Sequence, residues 1–429
     1  MWWPRQRLAI VNDAPLSGVA VSVRTLGCKV NRVESDTIAA TLVAAGALLV
    51  DEDEAEAVVL NTCTVTGEAD SKARKAVRRA LNAGRSPVVV VTGCLAALDS
   101  AGLLALGTRV VVESDKSRVA GRVAEALGAP SLAMGHVTAD CRVGERFRTR
   151  ALLKVEDGCD NFCAYCIVPF ARGGPRAVPF EEVVRDARAL VAAGTPEIVL
   201  TGINIGRYRD DSSGANLAEL IGAVASTGIE RLRISSIEPP DLTPELLAVL
   251  AAAPAVCEHL HVPLQSGSDA VLSAMGRRYT ADQFAERIQA AREAIVGLAV
   301  TTDVIAGFPR ETEDQHRQTL DFVENVGFAQ LHVFRYSARK GTPAAELAQH
   351  PAARRAARAA QLRAQGDRLR QRYLRGRVGS LAEVLVESIA AGRARGTTRD
   401  YVKVDLDANG LRVGRCAPAI LDAHGLGLS

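Results

Sequence analysis

Apolar runs of strand length recur along the chain, and each is followed by a stretch of helical period. Before residue 130 three such units stand in succession. VAVSVRTL (19–26) runs into Gly27-Cys28 and a helical ESDTIAATLVAAG (34–46); AVVLNT (57–62) runs into Cys63 and a helix over about 68–82; PVVVVTG (87–93) runs into Cys94 and another apolar helix start. Strands that alternate with helices in this way predict an α/β domain built on a parallel sheet. From residue 151 the alternation continues through six candidate strands, ALLKVED, EIVLTGI, RLRISSI, EHLHVPL, VTTDVIAGF and QLHVFRYS, with helices predicted at 180–193, 243–252, 281–294 and 312–326. Six repeats suit an open or partial β/α barrel better than a closed eight-stranded one. After Val378 the strand-like LAEVLVES and DYVKVDL flank a turn holding Gly392, Arg393, Arg395, Gly396 and Arg399. The expected segments are a parallel-sheet domain at 18–133, a linker at 134–150, the barrel at 151–350, a basic helix at 351–377 and a small β module at 378–429. Residues 1–17 show no clear periodicity.

Cysteine placement adds chemistry to this frame. Cys159, Cys163 and Cys166 form a C-x3-C-x2-C run just past the first barrel strand, where a β/α barrel carries its active site. Three thiolates hold three irons of a cubane cluster and leave the fourth open for a ligand, as catalytic zinc sites keep one position free. A zinc knuckle would need a fourth local Cys or His, which residues 157–176 do not offer, and a disulfide would leave one sulfur over. Cys28, Cys63 and Cys94 each follow the carboxyl end of a predicted strand. In a parallel sheet that would place them on neighbouring loops of one edge, where ligands gather. Lone cytosolic cysteines are usually packed thiols; three in equivalent loops favour a second metal site, an auxiliary iron–sulfur cluster. Cys141, Cys257 and Cys416 show no comparable pattern. The remaining barrel strand ends are polar, and Gly202, Asn204, Ser235, Glu238 and Gln265 are candidate ligand contacts, with bare backbone at Gly202 open to close approach. Ser268 is placed to cap the helix that follows it.

Composition narrows the setting. The chain has 429 residues, a formal charge of only +3 and nine cysteines, and no apolar run nears membrane-spanning length. A reducing, cytoplasmic location with no membrane partner follows as the expectation. Charge is uneven: nine arginines face one acid, Asp367, between Arg354 and Arg377, with Leu362, Leu369 and Tyr373 as the apolar stripe of a helix. That helix face is either solvated or turned to RNA.

The two triplets together resemble the radical S-adenosylmethionine (SAM) methylthiotransferases over nearly the whole chain. The resemblance rests on TLGCKVN (25–31), NTCTVT (61–66), TGC (92–94), Cys159, Cys163 and Cys166 with Tyr165 before the last, HVPLQSGSD, DVIAGFP and HVFRYSARKGTPA. It implies two [4Fe–4S] clusters, an auxiliary one on Cys28, Cys63 and Cys94 and a SAM-binding one on Cys159, Cys163 and Cys166, with Tyr165, Gly202, Asn204, Ser235, Glu238 and Gln265 near SAM. GCKVN followed by ESD is most similar to the branch acting on N6-threonylcarbamoyladenosine of tRNA next to the anticodon. The alternatives are isopentenyladenosine of tRNA, an aspartate of a ribosomal protein, or a non-enzymatic iron–sulfur redox sensor that binds RNA. Implied partners are tRNA, a flavodoxin- or ferredoxin-like electron donor and a sulfur source. The tail resembles the small RNA-binding β-barrel called TRAM, which would put Arg393, Arg395, Arg399 and Lys403 against RNA. The chain departs from the family at Gly174 to Val178, Arg310 and Arg335.

Overall fold

The computed structural model describes residues 14–130 and 149–428. Cys141 and most of the expected linker therefore lie outside the described residues. The described residues divide into two compact units, one holding 14–130 together with 166–174, the other holding 149–165 and 175–428.

In the first unit, strands β1 (Ala20–Thr25), β2 (Leu48–Leu49), β3 (Ala57–Thr62), β4 (Val88–Gly93) and β5 (Val110–Val112) form a parallel sheet in the order β2-β1-β3-β4-β5. Alternate side chains of β3 and β4 point to opposite faces, and helices cover both. Val58, Leu60, Val89 and Val91 pack with Ala73, Val77 and Ala80 of α2 (Gly67–Leu81). Val59 and Val90 pack with Ile38 and Leu42 of α1 (Lys29–Ala44) and with Val119 and Val123 of α5 (Val119–Ala126). Burial on both faces explains the lack of polar alternation in these strands. Two short helices, α3 (Cys94–Leu98) and α4 (Ser100–Leu104), follow β4. Helix α6 (Val168–Arg172) also belongs to this unit and packs on α3.

All six expected barrel strands form in the second unit: β6 (Arg150–Lys154), β9 (Glu197–Thr201), β10 (Arg231–Ile234), β11 (His259–His261), β12 (Ala299–Ala306) and β13 (Gln330–Arg335). A short antiparallel pair, β7 (Glu156–Asp157) and β8 (Arg176–Ala177), stands beside the first of them. The six are parallel in two runs, β10-β9-β6 and β11-β12-β13, and a bridge between Leu232 and Val256 joins the runs. Helices α7 (Phe180–Ala192), α8 (Leu217–Ala225), α9 (Pro244–Ala252), α10 (Asp269–Ala274), α11 (Ala281–Ala294) and α12 (Glu313–Val326) follow their strands. Thr243, Thr280 and Thr312 cap the helices after them with their hydroxyls. Ser268 occupies the cap position of α10, but its side chain makes no capping bond.

Helix α13 (Ala352–Arg377) lies on β13, with Leu362 and Leu369 buried as its stripe requires. The C-terminal strands β14 (Leu381–Ala390), β15 (Arg393–Thr398), β16 (Lys403–Asp407) and β17 (Cys416–Ile420) make an antiparallel sheet in the order β16-β15-β14-β17. The expected Gly/Arg turn is thus largely a strand. Glu197, fully buried at the start of β9, pairs with Arg231 at 2.9 Å and Arg233 at 3.1 Å. Burial alone would raise its carboxyl; the two arginines overcome this and hold it below the ordinary value. The same arginines donate onward to the carbonyls of Thr397, Thr398 and Arg399, so they lock the C-terminal sheet to the barrel.

Candidate functional site

The register of the first unit brings its three cysteines to one sheet edge. Thr25 pairs with Asn61 and Thr62 with Gly93, so β1, β3 and β4 end level, and Cys28, Cys63 and Cys94 follow those ends. Gly27 and Gly93 precede two of them with φ of +119° and +92°. A Cβ on Gly27 would sit 2.5 Å from the Cys63 Cβ, and one on Gly93 would sit 2.4 Å from both Asn61 Oδ1 and Thr62 O. Only glycine fits either place. Beneath the thiols lies a buried amide network. Asn31 Nδ2 donates to Leu26 O, Asn61 Oδ1 and Thr62 O, while Asn61 Nδ2 donates to Asn31 O at 2.8 Å. Asn31 Oδ1 accepts from the Cys28 thiol at 3.3 Å. Cys63 and Cys94 are buried, and that burial pushes both thiols up, with Arg172 and Lys116 acting against it at Cys94.

In the second unit the loop carrying Cys159 and Cys163 leaves β7 through Gly158, φ +88°, and bends again at Phe162, φ +44°. Such strain in a non-glycine residue persists where the surrounding structure over-determines it. The Asn204 amide nitrogen lies 3.9 Å from Cys159 Sγ. Arg277 Nη1 donates to Cys163 Sγ at 3.3 Å, and the same guanidinium forms a short ion pair with Glu238. Cys166 opens the 166–174 segment of the first unit.

The other sequence-predicted residues fall around the barrel's carboxyl end. Ser235 Oγ and Asn204 Oδ1 are buried with no hydrogen-bond partner among the described residues, an arrangement that suits a polar ligand. Gln265 continues the sheet by pairing with Val304, in a left-handed conformation at φ +68°. Tyr165 packs on the cluster of Val271, Met275, Phe308 and Tyr336. At Gly202 the close approach comes from within the chain: a Cβ there would lie 2.8 Å from Glu156 Oε2, which accepts the N–H groups of Ile203 and Asn204. Glu156, Arg277 and Arg172 were not legible as site residues in the sequence. A basic residue at the end of the α10 turn and an acid before Gly158 are common surface chemistry, and only the folded contacts distinguish them.

No three His, Cys, Asp or Glu side chains among the described residues converge on one single-ion position. A zinc site is therefore not built here, whereas sulfurs on separate irons of a cubane stand farther apart than ligands of one ion. The free thiols, the N–H donors facing sulfur and the unpartnered buried acceptors fit a cluster and a polar cofactor.

A partial parallel barrel with a C-x3-C-x2-C loop after its first strands defines a radical-SAM protein. Residues 153–323 match the model described as "Radical SAM superfamily", and residues 20–112 match "Uncharacterized protein family UPF0004". The chain is 42% identical over 340 residues to the threonylcarbamoyladenosine tRNA methylthiotransferase MtaB of Bacillus subtilis, covering 76% of this chain and 75% of that protein. It is 34% identical over 380 residues to a tRNA-2-methylthio-N(6)-dimethylallyladenosine synthase of Novosphingobium aromaticivorans, covering 85% and 86%. Among solved structures, the radical SAM methyltransferase TsrM of Kitasatospora setae shares the fold at TM-score 0.56 and 15% identity, with 77% of each chain covered. The chain belongs to the radical-SAM methylthiotransferase family. Members use SAM and a [4Fe–4S] cluster, and the MtaB type carries two clusters.

Proposed function

We propose that this chain methylthiolates carbon 2 of N6-threonylcarbamoyladenosine beside the anticodon of tRNA. The observation that carries the reading is the pair of separate cysteine triplets, Cys28, Cys63 and Cys94 following the strand ends of the first unit and the C-x3-C-x2-C run Cys159, Cys163 and Cys166 that starts just past β7. A redox sensor would need no second ligand pocket; the buried Asn204 and Ser235 oxygens that have no partner among the described residues, with the Glu238–Arg277 pair, support one. Identity of 42% to the Bacillus subtilis MtaB protein, against 31–37% to dimethylallyladenosine enzymes, supports the threonylcarbamoyl branch.

In this reading Cys159, Cys163 and Cys166 hold the SAM-binding cluster, and Cys28, Cys63 and Cys94 hold the auxiliary one. When bound, these groups supply one-electron cleavage of SAM and the sulfur for insertion. The chain's own residues bind and orient. Arg277 pairs with Glu238 and faces the Cys163 sulfur with an N–H, which orients that sulfur. Asn204 and Ser235 offer oxygens that have no partner among the described residues to a ligand amine or hydroxyl. Glu156 holds the 202–204 turn that presents Asn204. An electron donor of flavodoxin or ferredoxin type, a sulfur source and a cytoplasmic location complete the proposal. No helix among the described residues is long and apolar enough to cross a membrane.

Mass spectrometry of tRNA nucleosides tests the function. Deleting the gene should abolish 2-methylthio-N6-threonylcarbamoyladenosine and leave its unthiolated precursor. Loss of the methylthiolated isopentenyladenosine in its place would move the chain to the neighbouring branch. Loss of a methylthio-aspartate on a ribosomal protein would replace the tRNA reading altogether.

A further inference from the structure

Arg172 lies six residues after Cys166, yet its side chain is built into the first triplet's site. The guanidinium is almost fully buried and grips Glu34 with Nη1 at 2.8 Å and Nη2 at 3.3 Å. Its Nη2 also donates to Asn31 Oδ1 at 2.7 Å, the oxygen that accepts from the Cys28 thiol. A further hydrogen bond reaches Cys94. Lys116 adds a second positive charge, 3.3 Å from Glu34. Arg172 and Lys116 both place positive charge near Cys94.

A buried Arg–Glu pair is weak evidence of a stabilising device, since an apolar replacement of similar volume often does as well. Here the pair does something an apolar replacement would not. The Arg172 fork spans one thiol directly and another through Asn31, and planar guanidinium geometry suits that two-sided task better than an ammonium. N–H groups and positive charge near cluster sulfurs favour the more reduced, more negative state of the cluster.

We propose that Arg172 is a positioning residue of the auxiliary site: it fixes Cys28 and Cys94 for cluster binding and raises the reduction potential of the cluster they hold. This rests on the assignment of that cluster to Cys28, Cys63 and Cys94.

The test uses full-length protein in which Cys159, Cys163 and Cys166 are all changed to Ala, so that the auxiliary cluster alone is titrated. Midpoint potential is followed by electron paramagnetic resonance during reductive titration with dithionite, beside iron content and circular dichroism. Arg172→Gln should lower the midpoint potential and alter the resonance of the reduced cluster, and Arg172→Lys should restore part of the potential but not the resonance. If Arg172→Gln fails to fold, Lys116→Gln serves: it leaves the Arg172 bonds in place and should lower the potential by a smaller amount. An unchanged potential in a folded, iron-loaded Arg172→Gln protein, or in Lys116→Gln where that variant is the one measured, overturns the proposal. Failure of the underlying assignment looks different, because iron would then persist when Cys28, Cys63 and Cys94 are themselves changed to Ala.

Discussion

Glu156→Gln isolates one buried charge beside the candidate SAM site. Glu156 is fully buried; Oε2 accepts the N–H groups of Ile203 and Asn204, while Oε1 has no hydrogen-bond partner among the described residues. Burial is the chief cause that pushes its carboxyl up from 4.5 to about 7, against the two backbone donors. The folded value lies above the unfolded one, so folding takes up a proton between those pH values. The stabilising contribution is complete below about pH 4.5 and is lost as pH rises through about 7. The whole gap corresponds to about 3 kcal/mol, of which about 2.5 kcal/mol is traversed between pH 5 and pH 8. Gln keeps an oxygen for the two N–H groups and cannot ionise. Urea unfolding of iron-free, reduced protein at pH 5, 6, 7 and 8 should therefore show the variant gaining on the parent by about 2.5 kcal/mol across the series. A parent–variant difference that stays constant with pH would refute the burial argument.

Gly93→Ala should cost about 2–5 kcal/mol, since a Cβ at φ +92° would meet Asn61 Oδ1 and Thr62 O at 2.4 Å; thermal unfolding and a selective loss of auxiliary iron check it. Asn204→Ala should leave iron content unchanged and weaken SAM binding by about tenfold or more, measured by calorimetry, because one well-placed polar contact is worth about 1–2 kcal/mol. Changing Arg363, Arg368 and Arg375 together to Gln should weaken tRNA binding and flatten its log–log salt dependence by about 2, at about 0.7–0.9 for each phosphate no longer neutralised. An unchanged slope would make that helix face an ordinary solvated one.

Strands and helices of both units were legible because apolar runs and helical stripes report directly on a two-sided parallel sheet. The exceptions have physical causes. Helix α1 begins at Lys29, earlier than its periodicity suggests, because Asn31 and Glu34 point inward to the cysteine site and blur the stripe. Strand β15 reads RARGTT, with no apolar run. Its buried positions are Ala394, Gly396, Thr397 and Thr398, and the end of the strand is held by barrel arginines, Arg231 and Arg233, from more than 160 residues away. Strand β17 contains Pro418, which an edge strand tolerates, since among the described residues β17 pairs only with β14. Spacing placed the first three cysteines on one edge, but no spacing joins Arg172 to Glu34 across 138 residues. Among the C-terminal basic residues, Arg399 is spent on Glu258 and the carbonyls of Pro254 and Val256, so it serves docking of the sheet rather than RNA contact.

Arginine content alone misreads α13 for a similar reason. Nine arginines in one helix look like a single phosphate-binding face, but their folded surroundings divide them. Arg358 is buried on Glu311 at 2.8 Å, Arg355 donates to Tyr336 O at 2.8 Å, Arg370 reaches Ala329 O at 3.5 Å and Arg377 pairs with Asp400 at 2.8 Å. Those four fasten the helix to the barrel and to the C-terminal sheet, and removing one leaves a buried partner unpaired. Arg354, Arg363, Arg368, Arg372 and Arg375 remain exposed, with Arg372 paired to Glu324. Any electrostatic attraction of α13 for tRNA has to come from this second group. A variant that mixes the two, such as Arg370 with Arg363, would lose affinity through unfolding and through charge at once. Only the exposed set separates phosphate contact from structural support, because its removal changes the salt slope while leaving the thermal transition in place.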